Sequence, residues 1–417
     1  MSRSRWICLV LLLPVACSVV SLDAARAAIV SEGDVVPDPE VTPWDSSTTG
    51  EVGQNGYGSL RINEGSHLDS SYGILGHSNA ATGEVTVTGA GSKWENTYGI
   101  YVGSFGNGTL AIADGGLVTV GTNIAVGEHG NSSSEMVVFG GGRVVIAGSL
   151  EGGRYETSQG RITVNGSGST IEVGYVILGG HDSSSGTLRV ENDGLVDVAT
   201  DVILGEAATG QALILSGADV TVNGTTKMGN QAGSRGELTV DGPGSTWTNA
   251  YLYVGYSGSG TVAVTNGGML STSYCYLGDQ PGGAGTMTVN GANSTWSLAG
   301  DLWIGQSGGS ATVTVADGGV ATTARLHVVR GTLTVGQGGS LRVTGGDNVD
   351  VADEGRIVMD GGTLATTGLL RLNGNHAALT GHGVVNAALW GNCPLGTGLT
   401  ASGGKLVVGD ATRADGV

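Results

Sequence analysis

A short phrase returns twelve times between Gly53 and Val329, at steps of 23 to 27 residues. Its copies end Glu51-Val52-Gly53, Ile74-Leu75-Gly76, Tyr101-Val102-Gly103, Ala125-Val126-Gly127 and Glu151-Gly152 in the first half. Ile177-Leu178-Gly179, Ile203-Leu204-Gly205, Lys227-Met228-Gly229, Tyr253-Val254-Gly255, Tyr276-Leu277-Gly278 and Trp303-Ile304-Gly305 follow, then a degenerate His327-Val328-Val329. A fixed period of this size is the signature of a solenoid, in which each unit buries its apolar side on the next. Within a unit the pattern has period two. Leu110 and Ile112, then Val118 and Val120, then Ile124 and Val126 alternate with small or polar residues. Such alternation, broken by glycine turns, is that of half-buried strands. Three short strands per unit predict an all-β fold: a single-stranded parallel β-helix of about 14 rungs, ~25 residues per rung. At ~4.8 Å per rung, that is a rod on the order of 65 Å long.

The unit comes in two forms. One carries a double glycine after its first strand, as in Gly108 to Gly127. The other carries Gly-Ser-x-Trp, as at Trp94, Trp247 and Trp296, with Ile171 in the same slot. The chain holds 79 glycines in 417 residues, and they fall at fixed offsets, which marks turns rather than a flexible linker. Residues 41–345 read as the repeat solenoid, whose first coil opens at Trp44, nine residues before Gly53; 28–40 read as a lead-in to it, and 346–417 as irregular closing rungs.

Residues 1–27 have the form of a secretory signal: Arg3 and Arg5, an apolar run from Trp6 to Val20, and Ala25-Arg26-Ala27 before the cleavage point. A competing reading makes Cys17 the acylated residue of a lipoprotein signal, against which Pro14 argues. Removal of the leader takes three Arg and one Asp, shifting the net charge from −18 to −20. That balance argues against a nucleic-acid partner and against docking on an anionic membrane. The mature chain has no apolar stretch long enough to span a bilayer. It keeps only Cys275 and Cys393, too few for a disulfide framework. The expected location is secreted or at the cell surface.

Thr239-Val240-Asp241-Gly242-Pro243-Gly244-Ser245-Thr246-Trp247 followed by Leu252-Tyr253-Val254-Gly255 is the clearest copy of the second unit; Thr288 to Trp296 and Thr86 to Trp94 are close to it. This phrase resembles the repeat shared by autotransporter passengers and PEP-CTERM-sorted bacterial proteins, over about residues 41 to 345. The resemblance implies an exported bacterial surface or matrix protein with no defined active site. The two usual companions of the repeat, a translocating barrel and a PEP sorting tail, are not seen in the sequence.

Four chemistries have candidate residues in the sequence. Glu64, Thr88, Asp114, Phe139, Asn165, Asp193, Ser216, Asp241, Asn266, Asn290, Asp317, Gln337 and Asp360 align at the first turn of successive coils. A calcium ladder would use such a row. No two of its acids fall on adjacent rungs, which favours turn-forming Asn and Asp and leaves no cofactor as the expectation. His77, His129 and His181 follow closing glycines at intervals of 52 residues, two rungs apart and too far for one zinc ion; His376 and His382 have no ligand partner at metal spacing. Scattered acids do not form the close pair a glycosidase needs, Gly-x-Gly stretches open no helix, and no basic partner activates a Ser. No enzyme is expected. Trp94, Trp247, Trp296, Tyr253 and Trp303 are the ligand-contact candidates, as an aromatic edge for sugar rings; the competing reading places the tryptophans at a corner of the core. The function expected is an adhesive or structural rod, with a carbohydrate-binding module second and a β-helix polysaccharide-active enzyme third. Partners would be surface glycans or further copies of the chain, joined through the open strand edges at its ends.

Overall fold

Apolar residues at every second position, cut by a glycine every few residues, force the chain to turn before a strand can lengthen. The computed structural model describes residues 28–346, 348–374, 376–392 and 399–409. Among them are strands and turns and no helix, wound as a parallel β-solenoid of about 14 turns of roughly 25 residues. The leader assigned to residues 1–27, with Cys8 and Cys17, lies outside the described residues, as does Cys393.

One rung shows the design. A first strand, Asn107–Ala113, turns at Asp114 into a second, Leu117–Val120. A corner at Gly121 leads to a third, Asn123–Val126. In the next rung the second and third strands run on as Arg143–Gly152, with a register shift between Ile146 and Ser149 at the corner. First strands stack on first strands in register: Val85 lies between Leu60 and Leu110. Leu110, Ile112, Val118, Ile124 and Val126 are fully enclosed, and Val120 nearly so. The core is therefore a column along the rod axis, fed by three faces. Each enclosed side chain contributes roughly 2 kcal/mol of apolar burial.

The start of the chain departs from the expected lead-in. Strands β1 (Ala28–Gly33) and β2 (Val35–Val36) precede β3 (Thr49–Val52), β4 (Tyr57–Asn63) and β5 (His67–Leu75). β1 pairs antiparallel with β4, and β2 antiparallel with β3, whereas β3 pairs parallel with β5. Trp44 is buried over Gly50, and its indole N–H donates to the Pro37 carbonyl at 2.6 Å. The N-terminal end of the column is thus plugged and covered. The edge left there is that of β1, which pairs with β4 on one side, so it is an antiparallel edge and not the open end of a rung.

One closing glycine also moves. Gly152 stands in register with Val126 and Leu178, inside the third strand, and Gly153 carries the left-handed backbone (φ 61°) that the other closing glycines have.

Candidate functional site

The outward residue of each third strand forms a file along one face. In register it runs Tyr101, Ala125, Glu151, Ile177, Ile203, Lys227, Tyr253, Tyr276, Trp303, His327. Alternation turns these side chains out, yet aliphatic and aromatic neighbours keep most of them half-buried. Beside it runs a second file with Tyr251 and Tyr274.

The rings pack face to face. Tyr253 and Tyr276 lie 5.0 Å apart at 14°, Tyr251 and Tyr274 5.4 Å apart at 13°, and Trp303 and His327 3.9 Å apart at 14°. Rungs repeat at ~4.8 Å, so rings at equivalent positions are held at stacking distance by the backbone itself. The ring faces look along the rod axis and are used on one another. What the ladder offers solvent is mostly edges and hydroxyls. Partial burial raises the phenols of Tyr253 and Tyr276 above their ordinary value.

The stack ends at Tyr253 on the side of Lys227. There Tyr256 stands edge-on to Tyr253 (5.6 Å, 87°), and the Lys227 ammonium lies 4.5 Å from the Tyr256 ring centre. These three, with Asp201, Val202, Ile203 and Thr225, line a cleft of about 250 Å³. It combines an aromatic wall with an ammonium, a carboxylate and a hydroxyl.

The aromatic candidates divide. Tyr253 and Trp303 are on this outer face. Trp94, Trp247 and Trp296 are not: each is fully buried, in the inward file of the second strands, in register with Val118, Leu270 and Ala321 respectively. A surface ligand cannot reach them. The physical reason is volume, because the indole fills core that an aliphatic residue leaves to its neighbours; beside Trp94, Gly73 is the residue whose missing side chain makes room. The Trp94 indole donates to Ser70 Oγ at 3.0 Å, which in turn donates to Asn96 Oδ1 at 2.7 Å, whereas the indole N–H groups of Trp247 and Trp296 are buried without a partner.

The row of turn residues weighed against a calcium ladder also divides. Glu64, Asp114, Ser216, Asn266 and Asp317 follow the strand and have φ between 51° and 55°. Thr88, Phe139, Asn165, Asp241 and Asn290 are the last residues of their strands, each followed by a left-handed glycine. Asp193 lies two beyond the strand that ends at Glu191. The side chains bond to neutral donors of the neighbouring rung: Asp241 Oδ1 accepts from Thr265 Oγ1 and Asn266 Nδ2, both at 2.6 Å, and Asp114 Oδ2 accepts from Thr88 Oγ1 at 3.2 Å.

Stacking brings together groups that looked scattered. His77 pairs with Glu51 at 2.9 Å. His129 and His181 instead belong to a stacked file, Phe105–His129–Tyr155–His181, with centroid separations of 4.8, 4.7 and 5.0 Å. All four stand two residues after a closing glycine once Gly153 is taken as that glycine. The misplaced glycine concealed Tyr155 and with it the file. His382 lies 3.8 Å from Asp360 one rung away. Glu128 accepts from Ser104 Oγ at 2.9 Å and from Arg154 at 3.4 Å, and Arg154 also holds Glu151 at 2.8 Å. Burial raises the Glu128 carboxyl above its ordinary value despite these partners. A second cluster joins His67, Asp69 and Glu95.

No known protein family matches the sequence, and no curated protein does. Among solved structures, the chain is similar to a TibC-catalysed, hyper-glycosylated fragment of TibA, residues 55–350, at 18% identity and a TM-score of 0.30, over 88% of this chain and 99% of that one.

Proposed function

We propose that the chain is an exported, non-catalytic rod that works outside the cell as a spacer or adhesive surface. The observation that carries this reading is the column itself: parallel rungs follow one another from β3 onward, each filled by inward apolar residues. Such a body is stiff along its axis and repeats its outer surface at a fixed spacing. The leader-like residues 1–27, the acidic balance and the resemblance of the repeat to that of autotransporter passengers and PEP-CTERM-sorted proteins support export. A second reading, a carbohydrate-binding module, is favoured by the cleft beside Tyr253, Tyr256 and Lys227. The wider aromatic strip favours it less, since its ring faces are taken.

One screen separates the two. The full chain is applied to a glycan array and to insoluble polysaccharides, with and without calcium. The spacer reading expects no retention. Selective retention that Tyr253→Ala abolishes, with an unchanged far-ultraviolet circular dichroism spectrum, would replace it with the carbohydrate-binding reading.

A further inference from the structure

We propose that His67, Asp69 and Glu95 form a site for a divalent transition-metal ion, with zinc as the probe that fits it. His67 and Asp69 project from the same face of β5, and Glu95 sits on the next rung in register with Asp69. His67 Nε2 lies 2.7 Å from Glu95 Oε2 and 3.1 Å from Asp69 Oδ1, and the three ligand atoms all fall within 4.8 Å of one another. The arrangement is more than two neighbouring acids. One imidazole nitrogen faces two carboxylate oxygens, and a ring nitrogen carries at most one proton to share between them. A metal ion takes an electron pair from each of the three.

The remaining contacts leave this donor set free. Lys93 Nζ lies 2.6 Å from Glu95 Oε1, and Thr119 Oγ1 donates to the same oxygen at 3.4 Å. Oε1 is thereby occupied, and Oε2 is turned toward the imidazole. Tetrahedral zinc with ligands at 2.0–2.2 Å sets them about 3.3 Å apart. The three side chains are half-exposed, so small rotations can take the 2.7 and 3.1 Å separations from the imidazole to that value. Imidazole beside two carboxylates suits zinc, whereas calcium prefers an all-oxygen shell of six or more ligands. Because Asp69 and Glu95 belong to adjacent rungs, a bound ion would tie one rung to the next.

The test is calorimetric titration of the full chain with zinc chloride, beside His67→Gln and Asp69→Asn. Any other zinc-binding groups are common to all three proteins, so the difference isolates this site. The expected result is one equivalent that weakens more than about tenfold in both variants. A zinc-dependent rise of a few degrees in Tm should be lost with it, and calcium should produce neither effect. Superimposable titrations for the three proteins would overturn the proposal. So would calcium binding as tightly as zinc. Circular dichroism of each variant confirms that it is folded, and either variant alone suffices should the other fail.

Discussion

Glu128 sets burial against pairing on a single carboxyl, and burial prevails. Its folded-state value is raised above the ordinary 4.5, so the protonated form is the one the fold favours. The stability this contributes is complete below the unfolded value and is lost as pH rises through the folded one. Glu128→Gln keeps a neutral group in place at every pH. The Tm of the variant relative to the parent should therefore rise between pH 4 and pH 7, as read by differential scanning calorimetry; a flat difference would refute it. Glu95 has the opposite sign: Lys93 lowers it, and its contribution is lost as pH falls below the ordinary range. At this scale the sequence was legible wherever period two decided inside from outside, as at Leu110 and Ile112. On Trp94 it offered one pointer, Ile171 in the same slot, which favours the core, while a large amphipathic ring kept a surface role open. Cross-rung pairs such as Asp69 and Glu95 stayed hidden because their separation depends on register to the residue.

A rung is held by glycines of two kinds. Gly83 needs the absence of a side chain: a Cβ there would run into the Val52 carbonyl and the Gly76 amide. Gly141 needs only its backbone freedom, with φ at 81° and nothing within 4 Å of an added Cβ. Gly83→Ala should cost about 3 kcal/mol or more, because backbone of two rungs must separate. Gly141→Ala should cost about 1 kcal/mol, the price of a left-handed residue with a side chain. Urea denaturation measures both, and equal losses would contradict the distinction. These two glycines look alike in the sequence, since both stand beside a turn. The same limit explains Gly152 and Gly153: adjacent glycines look alike until φ is known. The ring ladders follow from the rung as well. Side chains two residues past each closing glycine stack because the backbone repeats, and aromatic ones turn that repeat into contact.

Over the whole molecule the repeat period alone was enough to reach the parallel solenoid and its single core column, because twelve copies of one pattern leave few other ways to bury their apolar faces. The reversed strand at the beginning was not readable. Ala28–Gly33 carries no period to align with the rungs it covers, and antiparallel pairing places no mark on so short a segment. Its consequence can be tested. Deleting residues 28–33 uncovers β4, whose free N–H and C=O groups then invite a strand from another molecule. Sedimentation velocity should show larger assemblies than the parent forms; two proteins sedimenting alike would argue that β1 is decoration.

A closed end also fixes valence. In linear polymerisation a particle with two reactive ends extends without limit, while a particle with one can only terminate. β1 lies across the first rung with its direction reversed, so that end has no parallel partner to offer. Whatever stands beyond Gly409, stacking of column on column then has at most one productive end per molecule. Continuation of the rungs in their parallel register is blocked at that end, so a larger array of these rods would draw on the outer edge of β1 or on their sides.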